Sequence, residues 1–155
     1  MAYIFPAPGV AGVEATLRIA LPGGATFLNI PAMQDITVNN SNDIFTWTQL
    51  DLGSKQNVAT TATNSLDLNI VLDQTVFFGT NPSGTTPTEI GIFGVSKDKV
   101  RIAFELYLGD TSAGAAGKTL SGFAYISGLA PTVSADAPVW VSPLTLTVDG
   151  DYSVA

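Results

Sequence analysis

The sequence predicts a mainly β protein, an antiparallel β-sandwich or barrel with one short α-helix. Three observations support this class: apolar residues alternate with polar residues over several short segments, turn-forming residues separate these segments, and one stretch carries helix start signals. The alternation is clearest at 66–73 and 100–108, and the helix signals lie between these segments, at 86–97. Alternation with one polar face per strand is typical of antiparallel sheets.

The chain is long enough for one domain, because 155 residues fit the usual domain size of about 100–150 residues. Residues 1–13 carry two prolines and two glycines, and we assign them to an extended N-terminal arm. Residues 14–155 are assigned to a single β-sandwich domain with a long loop at 51–65.

The first half of the domain predicts four short strands, separated by turn residues. The strands are predicted at 15–21, 27–30, 33–38 and 44–50. The Asx-rich run 39–43 predicts a turn between the last two. In the last of them Phe45 and Trp47 share one side of the strand.

Residues 51–65 differ from the segments around them, because only Leu52 and Val58 are sizeable apolar residues and no period is sustained. Structureless stretches of about 12–15 residues are uncommon in compact domains and are usually functional or disordered. We therefore predict a loop here that becomes ordered against a neighbouring molecule. A floppy surface hairpin is the alternative interpretation.

The helix prediction rests on its first turn. Thr86 can cap the N-terminus, Pro87 suits the first helical position, and Glu89 lies three residues after the cap, as in a capping box. Gly91 and Gly94 each weaken a helix by about 1 kcal/mol, and they also permit close packing onto the sheet.

The second half of the domain predicts a glycine-rich tip at 109–117 and three further strands, at 100–108, 120–127 and 139–148. In the last strand the inward parity changes between Val141 and Leu144. We expect a bulge or bend at Pro143 to absorb the extra residue.

Composition excludes several kinds of chemistry. The chain has no cysteine and no histidine, so it can form neither disulfides nor zinc–thiolate sites and has no Ser-His-Asp triad. With six basic residues and a net charge of −7, it cannot neutralise phosphates over an extended surface, and we expect no stable DNA binding. The N-terminus lacks the features of a signal peptide and no apolar run is long enough to span a membrane, so we expect a cytosolically made protein without membrane contact.

The low charge density has two interpretations. Charged residues make up 12 % of the chain, about half of the usual ~25 %. The surface is therefore rich in Thr, Ser, Asn, Gly and apolar side chains. Such a surface belongs either to a monomer covered by neutral polar groups or to a subunit whose outside becomes contact area.

Three near-motifs are better explained as turns. Residues 112–119 read S-A-G-A-A-G-K-T, but a phosphate-binding loop needs Gly at the first position and a helix after it. Asp149-Gly150-Asp151 lacks the long spaced loop of an EF-hand. The oxygens of 39–43 have no metal-ligand spacing. We predict no metal site and no bound cofactor.

Catalysis is not expected either. Paired carboxylates would have to come from Glu14, Glu89 and Glu105, the only glutamates, and Glu89 already has a capping role. Trp47 and Trp140 could stack a sugar or a base, although packing in a core or an interface is the more common use of Trp in a β-sandwich.

The order of elements resembles the major tail tube proteins of long-tailed, siphovirus-like bacteriophages. The similarity is strongest in the second half: strand 66–73, helix 87–97 and strand 100–108 precede three motif segments. These segments are G-F-A-Y-I-S-G-L at 122–129, P-T-V-S-A-D-A-P-V at 131–139 and L-T-L-T-V-D-G at 144–150. One departure is the pair of glycines, Gly91 and Gly94, where a better helix former is expected.

The resemblance implies a structural virion protein that forms hexameric rings, which stack into a tube for DNA ejection. It implies that strands of all subunits join into one barrel around a lumen through which DNA passes without stable binding. It also makes 51–65 a contact to the adjacent ring, for which the candidates are Leu52, Lys55, Gln56, Asn57 and Val58. Our candidates for contacts between subunits are Phe45, Trp47, Phe123 and Tyr125.

The partners implied by the resemblance are further copies of the chain, the tape measure protein, the tail terminator and the tail-tip or baseplate proteins. The implied location is the virion tail, with assembly in the host cytoplasm. The alternative function is a β-sandwich binding module, such as a receptor- or carbohydrate-binding protein or a capsid-decoration protein. A binding module should cluster exposed aromatic residues on one set of loops, whereas the aromatic candidates here fall within predicted strands.

Overall fold

The computed structural model describes residues 16–30, 33–51, 53–108, 118–136 and 139–155. In this part of the chain eight strands form one antiparallel sheet, accompanied by two short helices. The strands are β1 (Thr16–Ala20), β2 (Phe27–Ile30), β3 (Met33–Thr48), β4 (Lys55–Val71), β5 (Ile102–Leu108), β6 (Lys118–Leu129), β7 (Val141–Val148) and β8 (Ser153–Val154). The helices are α1 (Gln74–Phe78) and α2 (Pro87–Lys97).

The predicted mainly β, antiparallel class is confirmed, as is the helix after Thr86. Helix α1 is an addition to the one predicted helix. The predicted N-terminal arm at 1–13 and the glycine-rich tip at 109–117 lie outside the described residues.

The sheet curves around a single core. Its strand order is β2-β1-β5-β6-β7-β4-β3, with β8 pairing the first half of β6. β2 and β3 are the two ends of this path, yet Ile30 and Met33 are only three positions apart, a reach of about 11 Å at most. One buried cluster also combines Leu17 of β1, Leu66 of β4 and Leu144 of β7. The two halves of the sheet therefore face each other in a barrel-like arrangement.

Both helices cover the inner face of this sheet. Phe77 of α1 and Ile92 and Val95 of α2 belong to the same buried cluster as the strands. We call the opposite face, which no described helix covers, the open face. Along each strand the buried residues point to the core and the alternate residues lie on the open face.

Helix α2 begins with the predicted capping box. The backbone N–H of Glu89 donates to the Thr86 hydroxyl (3.4 Å), and the backbone N–H of Thr86 donates to Glu89 Oε2 (3.2 Å). Pro87 occupies the first helical position, where a missing N–H costs no helical hydrogen bond.

Gly91 interrupts α2 because two helices meet there. Its φ of 77° is outside the helical region, so α2 consists of two helical pieces joined at a kink. A Cβ at this position would lie 2.5 Å from the carbonyl carbon of Phe78, at the end of α1. Glycine therefore supplies both the left-handed conformation and the room for close approach of the two backbones.

The predicted turn at 39–43 is wrong, since β3 runs through it without a break in the strand. Cross-strand hydrogen bonds explain why polar residues suffice here. The Asn39 amide donates to Ser65 Oγ (3.3 Å) and Asp67 Oδ2 (2.5 Å), and Thr61 Oγ1 donates to Asp43 Oδ2 (2.7 Å). Asx residues were therefore a poor guide to a turn in this segment.

The predicted loop at 51–65 is wrong for 55–65, which form the first half of β4. The connection between β3 and β4 is confined to residues 49–54. The alternative interpretation, a surface hairpin, describes the architecture. The polar sequence of 55–63 has no alternation because, in the part of the chain that the structure describes, these residues are exposed or half-buried on both faces.

The bulge expected at Pro143 is also wrong. Pro143 pairs with Asn69 in an unbroken β4–β7 register, and pairing between β6 and β7 ends at Leu144, so the proline needs no partner on that side. Ser142 is buried and its hydroxyl donates to the Pro143 carbonyl oxygen (2.7 Å). Because the buried residue Ser142 is polar, the alternation of apolar residues could not be followed through this position.

Candidate functional site

The most unusual feature is a two-stranded extension of the β3–β4 hairpin. β4 pairs with β7 from Ser65 to Val71, whereas residues 55–64 pair, among the described residues, with β3 alone. We call residues 40–48 and 55–64, with their connection, the arm. Except for half-buried Gln56 and buried Asn64, every residue of its two strands is exposed.

A β-bulge bends the arm partway along its length. Thr60 and Thr61 of β4 lie opposite Asp43 of β3, where the register shifts by one residue. Thr60 Oγ1 donates to the Asp43 carbonyl oxygen (3.2 Å), and Thr61 donates to the carboxylate of the same residue. Bulges commonly redirect side chains and twist a strand pair away from its sheet.

Apolar side chains lie on both faces of the arm beyond the bulge. Phe45 and Trp47 stack with ring centroids 5.9 Å apart, and Val58 pairs opposite Phe45 on the same face. Phe45 is 57 % exposed, and Ile44 on the other face is 56 % exposed. Monomeric proteins rarely expose several large apolar side chains together, and patches of this kind commonly mark contact surfaces.

The structure brings most of the predicted contact residues together on the arm. Lys55, Gln56, Asn57 and Val58, predicted as inter-ring contacts, lie in the outer half of β4, while Leu52 is outside the described residues. Gln56 pairs opposite Trp47, so the two predicted contact sets share one surface here. Their roles as contacts stay predictions.

The other two candidates lie within the body of the sheet. Phe123 and Tyr125 are exposed residues of β6 on the open face. Sequence reasoning missed Ile44 and Leu50, which are exposed on the arm and in its connection. Alternation from Ile44 onward could have identified the first of these.

Two ion pairs lie on the open face, one between the neighbouring strands β1 and β5 and one across β6, from the residue before β5 to the residue after β7, and sequence reasoning missed both. Arg18 Nε donates to Glu105 Oε2 (2.7 Å), and Arg101 Nε donates to Asp149 Oδ2 (2.7 Å). The first pair lies directly across β1 and β5. These partners are 87 and 48 residues apart in sequence, so they could not be found before the strand register was known.

The glutamates are committed to local structure rather than to a common site. Glu105 pairs with Arg18, and Glu89 accepts hydrogen bonds in the capping box. Donation from the Thr85 backbone N–H, then from the Thr86 hydroxyl and backbone N–H, lowers the pKa of Glu89. Glu14 lies outside the described residues.

Across the described ranges, no cluster of three or more Asp, Glu, His or Cys residues could hold a metal ion. None of the helices in these ranges has the length and apolar character needed to cross a membrane.

The fold is similar to that of solved tail tube subunits. A tail subunit of an empty gene transfer agent particle, solved with C6 symmetry, matches with a TM-score of 0.65 and 12 % identity, covering 90 % of this chain and 94 % of that chain. The SPP1 tail tube subunit matches with a TM-score of 0.62 and 12 % identity, covering 90 % of this chain and 76 % of that chain.

A further match comes from a contractile assembly. A chain from the sheath/tube terminator of an extracellular contractile injection system has a TM-score of 0.57 and 16 % identity, covering 97 % of both chains. No protein-family model matches the sequence, and the search of curated proteins gives no match. The resemblance inferred from the order of strands and helix is thus confirmed at the level of the fold.

Proposed function

We propose that this chain is a structural subunit that closes into six-membered rings and that these rings stack into the tube of a virion tail. The observation that carries the proposal is an exposed, partly apolar two-stranded arm on a fold that 90 % of the chain shares with a C6-symmetric tail subunit. A head-to-tail contact that closes on itself produces such a ring.

The arm supplies edges for association between subunits. Within the described residues, 40–48 and 55–64 pair only with each other, so each strand of the arm has a second backbone edge available. Exposed edges of this length favour pairing with other chains. Joining them between subunits would extend the curved sheet into a larger barrel.

The apolar surface of the arm then becomes buried on assembly. Phe45, Trp47 and Val58 form its continuous part, and we assign this surface to the contact between adjacent rings together with Lys55 and Asn57. The contacts within the ring predicted at Phe123 and Tyr125 stay a prediction, because both residues lie on the open face of β6.

We assign the open face of the three central strands, β5, β6 and β7, to the lumen, because the helices cover the other face of the sheet. Cross-strand rows on the open face are mainly polar, such as Asn39–Ser65–Thr147. Thr147 Oγ1 donates to Ser127 Oγ (2.8 Å), so hydroxyls in this region satisfy one another. A lumen of this kind lets DNA pass during ejection without stable binding.

The proposed role requires partners of the tail rather than a substrate or cofactor. These are further copies of the chain, a tape measure protein in the lumen during assembly, a terminator at one end and tail-tip or baseplate proteins at the other. Assembly is proposed to take place in the host cytoplasm, without membrane contact.

Electron microscopy of the purified protein tests this function. We expect tubes or six-fold rings at high protein concentration. In the matched variant, residues 43–61 are removed and Asn42 is joined to Ala62 through Asn-Gly, a two-residue hairpin turn. This variant should fold, with strand content by circular dichroism, but should not form tubes.

A monodisperse wild-type monomer located on the capsid would contradict the proposal and favour the binding-module alternative. Long tubes from the variant without the arm would contradict the assignment of the inter-ring contact while leaving the tube itself in place.

A further inference from the structure

We infer that Glu105 and Asp149 mask the two arginines of the open face, and that this masking keeps the face from retaining nucleic-acid phosphates. The inference rests on the proposed function, because it concerns the face assigned to the lumen. It assigns to two carboxylates a role in the passage of a polyanion, DNA, that is separate from assembly.

Arg18 is held on two sides. Its Nε and Nη2 both contact Glu105 Oε2, which occupies one donor edge of the guanidinium group. Its guanidinium carbon lies 4.3 Å from the centroid of the Phe27 ring, so the ring covers one flat side of the group.

Arg101 repeats this arrangement one strand pair away. Its Nε donates to Asp149 Oδ2, and its guanidinium carbon lies 4.1 Å from the centroid of the Phe123 ring. The backbone N–H of Asp149 donates to the Phe123 carbonyl oxygen (2.8 Å), which fixes the carboxylate beside the ring. Two unrelated sequence segments therefore produce the same combination of arginine, aromatic ring and carboxylate.

This arrangement weakens each arginine as a phosphate ligand. Arginine recognises phosphate through a planar fork of donors that binds two oxygens at once. A carboxylate holds the Nε edge of each guanidinium group and an aromatic ring covers one flat side, so only the edge between the two Nη atoms is left for a phosphate. Each positive charge is also balanced at hydrogen-bond distance.

The other carboxylates of the open face are held differently. Asp35 accepts from the Asn69 amide (2.9 Å), Asp67 from the Asn39 amide and Asp43 from the Thr61 hydroxyl. All three donors are neutral, so no cation within the described ranges compensates the charge of these carboxylates. Among the described strand residues, the face therefore combines exposed negative charge with masked positive charge.

The test uses a short fluorescent DNA duplex and anisotropy at low salt, with the full chain either dispersed or assembled. The variant E105Q/D149N removes both masks with almost no change in shape. We expect at least about tenfold tighter DNA binding than wild type, with a log–log salt dependence steepened by about one unit per arginine that contacts a phosphate. The single variants E105Q and D149N should each show part of the effect, and they serve if the double variant does not fold.

Two controls separate masking from net charge. D35N/D67N changes the net charge equally but uncovers no arginine, so its affinity should remain within about twofold of wild type if masking decides phosphate binding. Adding R18Q and R101Q to E105Q/D149N restores the wild-type net charge and should abolish the gain.

An equal gain in D35N/D67N, a gain that survives loss of both arginines, or no gain in any unmasked variant would each overturn the inference. Failure of the proposed function looks different, because tube formation is read separately by microscopy. If wild type forms no tubes, binding by the dispersed protein still decides whether the carboxylates mask the arginines.

Discussion

The two halves of β4 lie in one continuous strand but in opposite environments. From Leu66 to Ile70, alternate residues are buried against the core, whereas residues 55–63 are exposed or half-buried on both faces. The inner half reads L-D-L-N-I and the outer half reads K-Q-N-V-A-T-T-A-T. Apolar and polar residues thus alternate in a strand where one of its faces is buried within the chain. A strand that becomes buried only on assembly does not need this alternation.

The largest expected difference in the free energy of unfolding comes from substituting one residue in each half of β4. Leu68 is 2 % exposed, and Leu68→Ala should lower the free energy of unfolding by about 2–5 kcal/mol because it removes buried contacts and leaves a cavity. Val58→Ala on the arm should change it by no more than about 0.5 kcal/mol. Urea unfolding followed by circular dichroism under monomeric conditions measures both. Equal losses would mean that the arm also packs within the monomer.

A second test concerns the helices that cover the inner face. Gly91→Ala should cost about 2–5 kcal/mol, because alanine is strained at its φ of 77° and its Cβ would meet the backbone of α1. Gly23 is the matched control: its φ is 75°, but a Cβ there would meet nothing within 4 Å. Gly23→Ala should therefore cost only the conformational part, about 1–2 kcal/mol. If Gly91→Ala cost no more than Gly23→Ala, close packing of α1 on α2 would not matter.

A third test removes the cap of α2. Thr86→Ala should cost about 1 kcal/mol, since the N–H of Glu89 loses its side-chain acceptor at the helix start. Thermal unfolding near neutral pH measures the loss. Thr88→Ala, one exposed position inside the same first turn, is the control and should have little effect.

Glu89 makes the same cap dependent on pH. Because folding lowers its pKa, the ionised carboxylate stabilises the folded state above its ordinary value of 4.5, and this contribution is lost as the pH falls through the lower folded value. Glu89→Gln should therefore be less stable than wild type at neutral pH, and the difference should shrink below pH 4.5. A difference independent of pH would contradict the assignment.

The sequence predicted the strands of the core correctly but not the continuous strands of the arm. Alternating segments such as 102–108 and the capping box at Thr86 were located because their signals are local and their faces are buried within the chain. The arm was mistaken for a loop because its polar strands are held by cross-strand pairs such as Thr46 with Asn57 (2.7 Å). Such pairs exist only once the register is known.

The candidate site divides in the same way. Phe45 and Trp47 could be placed on one side of a strand because side chains alternate locally. Their proximity to Val58 and Gln56 depends on a bulge at Asp43 that shifts the register by one residue. Helix α1 is only five residues long and offers no period, although Asp73 caps it by accepting from the backbone N–H groups of Thr75 and Val76.

The smallest expected change in stability is the sharpest test of the arm. Phe45→Ser with Trp47→Ser removes two exposed rings, so unfolding of the monomer should change by only about 0.5 kcal/mol. Tube formation, however, should be lost, because the same rings supply the apolar part of the proposed inter-ring surface. Val133→Ser is the matched control, since this exposed apolar residue lies in the β6–β7 connection rather than on the arm. Sedimentation and electron microscopy of both variants measure assembly. Loss of assembly in the double variant alone would assign the exposed half of β4 and its partner strand to contacts between copies. Normal tubes from the double variant would mean that these two rings lie outside the assembly interface.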